Sequence, residues 1–104
     1  MTTLTRNRLL KTLLSDPHTG AQLSLSITPS GPKRWRATAL IQHPTKPPKA
    51  ITQPRTRTEE LPAALAAMTL FISTAEIQRY LSGATAQAAI TLLTLTTPER
   101  ETLA

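Results

Sequence analysis

Between Gln22 and Ile41 the chain spells out a β-hairpin, and no other stretch constrains the fold as strongly. Gln22-Leu-Ser-Leu-Ser-Ile-Thr28 alternates apolar and polar residues, which places Leu23, Leu25 and Ile27 on one face of a strand. Pro29-Ser-Gly-Pro32 follows as a turn, with two prolines fixing φ and Gly31 able to take a positive φ. Arg34 to Ile41 reads as the returning strand. Trp35, Ala37, Ala39 and Ile41 point one way, and Arg34, Arg36, Thr38 and Leu40 point the other.

Residues 4–15 read as a short N-terminal helix. Leu9, Leu10, Leu13 and Leu14 form its apolar stripe, and Asp16-Pro17 ends it, because the residue before proline avoids the helical region. Residues 43–57 read as a proline-rich basic loop, polyproline-like, with brief edge pairing near Ala50-Ile51-Thr52. Thr58 reads as an N-cap, followed by Glu59 and Glu60, which complement a helix dipole. Leu61, Leu65, Met68 and Ile72 then recur at helical spacing. Ser73-Thr-Ala-Glu76 matches a capping box, but the periodicity favours one continuous helix to Leu81, stopped by Gly83. Ala84 to Thr96 reads as a last helix with Ala86, Ala89, Ile90 and Leu93 inward, and its threonines leave a strand over residues 89–95 open. Thr97-Pro98-Glu99 resembles a fresh helix start. The expected fold is α+β: an N-terminal helix, an antiparallel β-hairpin, a proline-rich basic loop and two C-terminal helices, in a single small domain over residues 1–104.

The apolar supply is small. Sixteen Leu, six Ile and one Phe, with no Val, serve 104 residues, and fourteen Ala each bury much less than a Leu. Two apolar stripes, Leu61/Leu65/Met68/Ile72 and Leu70/Ile77/Leu81, exceed what one two-stranded hairpin can cover. A homo-oligomer, or a place as subunit of a complex, is therefore expected. The absence of Cys excludes disulfides, thiolate nucleophiles and Cys-based zinc sites. The N-terminus lacks a secretory pattern and no apolar run is long enough to span a bilayer, so no membrane role and a cytoplasmic location are expected.

Charge is divided unevenly. Residues 1–57 carry ten Lys/Arg against Asp16 alone, whereas residues 58–104 carry Arg79 and Arg100 against five Glu. Lys33, Arg34 and Arg36 on the hairpin, then Lys46, Lys49, Arg55 and Arg57 on the stiff segment, are the candidate contacts to nucleic acid or another acidic partner. A solvated, solubilising face is the bland alternative. Trp35 between two arginines has the look of a base-stacking platform, but with only three aromatics in the chain it is assigned to the core. His18 and His43, each beside a proline, look like exposed loop residues, and three glycines form no phosphate loop. No catalytic residue, metal or cofactor is expected, and the chain is not expected to be an enzyme. Residues 74–93 superficially resemble a helix-turn-helix, yet the would-be recognition helix lacks Arg, Lys and Asn, which leaves an ordinary helical hairpin.

The Leu-rich opening, Leu23-Ser-Leu25-Ser-Ile27, Pro29 with Gly31, the basic strand, and Pro54-Arg-Thr-Arg-Thr-Glu-Glu-Leu61 before an Ala/Leu helix together resemble the PRTRC system protein E family over about residues 9–72. The chain departs from it at Arg55-Thr-Arg-Thr58, where the family shows Thr-Gly-Thr. The resemblance implies an accessory protein of a plasmid-type cassette without catalytic residues. The resulting expectation is a small accessory or adaptor protein of a plasmid, phage or other mobile element that contacts nucleic acid or a nucleoprotein complex. The competing expectation is an inhibitor or assembly subunit whose basic surface meets an acidic protein.

Overall fold

The computed structural model describes residues 2–4 and 10–98, and the side chains of residues 10–96. In chain order it runs β1 (Thr2–Leu4), β2 (Leu10–Ser15), β3 (Gln22–Pro29), β4 (Arg34–Gln42), β5 (Lys49–Arg57), a 3-10 turn (Thr58–Glu60), α1 (Leu61–Ser73), α2 (Ala75–Gln78), α3 (Gly83–Thr94) and β6 (Thr96–Pro98). Strands β2, β3, β4 and β5 form an antiparallel sheet in that order, and β1 pairs in parallel with β6. The fold is α+β. The expected hairpin is its centre, with Leu23 opposite Ile41, Leu25 opposite Ala39 and Ile27 opposite Ala37.

One face of the sheet is apolar and packs against helices, as period-2 alternation requires. Leu23, Leu25, Ile27, Trp35, Ala37, Ala39 and Ile41 are buried together with Leu61, Leu65, Met68 and Ile72 of α1 and Ala89 and Leu93 of α3. Trp35 is 4 % exposed, and its indole Nε1 donates to Thr58 Oγ1 at 3.1 Å, so its polar edge is met inside the core.

The expected N-terminal helix is corrected over residues 10–15, which form β2; residues 5–9 of that expectation lie outside the described residues. Leu10 faces Ile27 and Leu14 faces Leu23, so both extend the apolar face of β3, while Leu13 turns outward and is 60 % exposed. Pairing along a preformed strand supplies ladder hydrogen bonds, whereas an isolated helix of that length is marginal in water. The proline-rich loop is corrected in extent: residues 43–48 are loop and the expected pairing near Ala50-Ile51-Thr52 is present, but pairing with β4 runs through Lys49–Gln53 and resumes at Thr56 and Arg57. Pro54 is tolerated because β5 is an edge strand and the register shifts between Trp35 and Ala37, leaving Pro54 and Arg55 opposite Arg36.

The continuous helix to Leu81 is corrected as well. Helix α1 stops at Ser73, and Thr74, at φ −67° and ψ 152°, caps α2 by accepting from the Ile77 amide at 3.4 Å. The capping sequence is thus used, with Thr74 as the cap. Gly83 opens α3 instead of ending its predecessor. Residues 89–94 are helical and Thr96–Pro98 is a strand; the expected helix start from Glu99 onward lies outside the described residues. The second apolar stripe mostly closes within the chain, because Ile77 and Leu81 are buried and Leu70, at 70 % exposure, is left outside.

The turn from β2 to β3 is organised by Asp16. Its Oδ1 accepts from the amides of His18 at 2.9 Å and Thr19 at 3.3 Å, and its Oδ2 accepts from the Ser82 amide at 2.5 Å, just before α3. Gly20 follows at φ 76°, where a Cβ would stand 3.0 Å from Pro44 Cγ, so any larger residue would strain both backbone and contact.

Candidate nucleic-acid interface

Because α1 and α3 pack on the Leu23/Leu25/Ile27 side, alternate residues of the same strands make up the opposite face. Lys11, Ser26, Thr38 and Thr52 form one row across all four strands, and Leu13, Ser24, Leu40 and Ala50 form the next. Toward the hairpin tip lie Thr28 opposite Arg36, and then Arg34 opposite Arg57. Every one of these side chains is half-buried or exposed. The face therefore grades from small apolar groups, through hydroxyls, to guanidinium groups. Thr38 Oγ1 and Thr52 Oγ1 lie 3.4 Å apart within the hydroxyl row.

No Asp or Glu occurs in β2, β3, β4 or β5, whereas these strands carry Lys11, Arg34, Arg36, Lys49, Arg55 and Arg57. The nearest carboxylates at the tip are Glu59 and Glu60 in the following 3-10 turn. Arg57 Nε lies 3.7 Å from Glu60 Oε1, a contact between exposed side chains that is worth little in water. A shallow cleft of about 280 Å³ is lined by Pro32, Lys33, Arg34, Arg57 and Glu59.

The seven cations singled out from sequence do not form one track. Lys33, Arg34, Arg36 and Arg57 gather at the hairpin end. Arg55 lies in the β5 irregularity and lines a groove against α1 with Gln53, Thr56, Glu60 and Ala63. Lys46 and Lys49 are engaged within the chain. Lys46 Nζ donates to the Arg79 carbonyl at 2.7 Å and sits 5.2 Å from the Tyr80 ring centre, and Lys49 Nζ meets Glu76 Oε1 at 2.6 Å. The Glu76 carboxylate raises the Lys49 pKa by hydrogen bonding and by charge. Tyr80 completes this clasp, its hydroxyl donating to the Pro47 carbonyl at 2.9 Å and its ring meeting His43 edge-on at 5.7 Å. His43 is accordingly half-buried, unlike His18, which is exposed.

Sequence reasoning missed Lys11 and the hydroxyl rows, because residues 10–15 were assigned to a helix. The usable signal was Asp16-Pro17-His18-Thr19-Gly20, a turn sequence that implies a second hairpin ahead of the recognised one. Trp35, Phe71 and Tyr80 all lie elsewhere, so the open face offers hydroxyls and cations but no ring for base stacking. Among the described residues no three His, Asp or Glu cluster as a metal site would need, and no helix is long and apolar enough to cross a membrane. No family model matches the chain, and neither a curated protein nor a solved structure matches it.

Proposed function

We propose that the chain is a non-catalytic accessory or adaptor protein that contacts the backbone of nucleic acid, alone or within a nucleoprotein complex, through the open face of its sheet. The observation that carries this reading is the sheet's composition: four strands without a carboxylate, whose outward face ends in Arg34, Arg36 and Arg57 with Lys33 beside them. Hydroxyl and guanidinium groups suit phosphate oxygens, and a face without aromatic rings favours backbone contact over base readout. The resemblance to the PRTRC system protein E family supports a setting beside plasmid DNA, and the cytoplasm is the location that fits. Replacing Arg34, Arg36 and Arg57 together by Glu is expected to abolish retention on a single-stranded DNA column while circular dichroism stays native. Unchanged retention would remove the reading.

Self-association belongs to the same proposal. Leu13, Leu70 and Leu95 remain exposed although twenty other apolar side chains are buried in one cluster. Light scattering is expected to give more than the mass of one chain at micromolar concentration. A stable monomer with cooperative melting would show that the core closes by itself.

A further inference from the structure

The tip of the β3–β4 hairpin is built against local preference. The Arg34 amide donates to the Gly31 carbonyl at 3.2 Å, which closes a four-residue turn with Pro32 second and Lys33 third. Lys33 has φ 55°, the only positive φ outside glycine among the described residues. A turn with proline second and positive φ third has the type II pattern, and its third position is the natural place for Gly or Asn. A lysine there carries the steric penalty of the left-handed region with no compensating side-chain packing, since Lys33 is exposed. Beside it Arg34 stands directly opposite Arg57 in the strand register, which brings two guanidinium groups to this end of the sheet, with Arg57 Nε 3.7 Å from Glu60 Oε1. The two meet in one cleft with Lys33, and Glu59 is the one acid among the cleft residues.

We propose that this tip is a phosphodiester grip. Lys33 is held in the strained conformation so that its ammonium, with Arg34 and Arg57, brackets one phosphate of a strand lying along the open face. A phosphate bound there is shared by the Arg34 and Arg57 guanidinium groups and displaces Glu59 from the cleft. The inference rests on the reading of that face as a nucleic-acid surface and adds the residue that anchors the strand.

The probes are fluorescein-labelled oligothymidylate and oligouridylate, titrated by anisotropy at several salt concentrations, with thermal melting run in parallel. Lys33→Gly and Lys33→Asn should melt no lower than wild type, because both residues accept positive φ. Both should bind about fivefold to tenfold more weakly near 0.1 M salt, with a log–log salt slope smaller in magnitude than that of wild type. Lys33→Arg should keep the wild-type slope, and Glu59→Gln should bind more tightly. Equal loss on both probes assigns the grip to the phosphodiester, and loss on one alone would overturn that assignment in favour of a contact to the sugar or the base. Unchanged affinity of the Gly and Asn variants, in a protein whose wild type binds, overturns the grip and leaves the open-face reading standing. A lower melting point for both variants would also overturn it, by showing that Lys33 serves the fold. Failure of the wild type to bind either probe at all removes the open-face reading and the grip with it.

Discussion

A carboxylate withdrawn from water persists in the charged form only when donors replace the lost hydration, and Asp16 meets that requirement at 2 % exposure. Burial alone would push its carboxyl upward, but the amides of Ser82, His18 and Thr19 with the Ser82 side chain outweigh this and hold it well below the usual carboxylate range. Helix α3 has no acidic residue in its first turn and no side-chain cap of its own, so Asp16 supplies the anion at that end from a distant part of the chain. Asp16→Ala is expected to cost about 2–4 kcal/mol in chemical denaturation, because it strands buried donors and uncaps α3. The pH dependence follows from the lowered pKa. The stabilisation is complete above about pH 5 and drains away as pH falls below the unfolded carboxyl value near 4. Melting temperatures of wild type should fall over that acid range more steeply than those of Asp16→Asn. Parallel curves would remove Asp16 as the cause.

Elements differ in how much of their fate is local. The β3–β4 pair was legible because alternation, two prolines and a glycine all agree, and its register follows from that turn. Strand β2 was not, since four leucines within six residues satisfy a helical stripe as well as they satisfy a strand edge. The partner that decides the matter, β3, is found only by folding back at Asp16. Strand β5 was hidden for a related reason: Pro54 argues against a strand, and only an edge position with an irregular register admits it. The division of charge was plain in the sequence, but the sorting of the cations was not. Lys46 and Lys49 were read with the arginines by proximity in the chain, whereas the structure folds their segment onto α2 and Tyr80. Replacing both by Ala should therefore lower the melting temperature, through the lost contacts to Arg79, Tyr80 and Glu76, and change oligonucleotide affinity less than twofold. A loss of affinity equal to that of the Arg36→Ala variant would return them to the interface.

At the scale of the whole molecule, the helices close one side of the sheet and the charge asymmetry is expressed on the other. The apolar residues of β3 and β4 face α1 and α3, and the same alternation that sends them inward sends Arg34, Arg36 and the Ser/Thr rows outward. Core and open face are thus two readings of one periodicity, and a single-residue slip in register would exchange them. The proposed function requires that open face to act as an electrostatic surface for a polyanion. Its most direct test is the affinity of the wild-type chain for oligothymidylate as a function of salt. With one phosphate bracketed by Lys33, Arg34 and Arg57 and another met by Arg36, about two phosphates are neutralised, and the log–log slope on a single strand should lie between about −1 and −2. A slope near zero would contradict the account, because binding without counterion release cannot run through these cations.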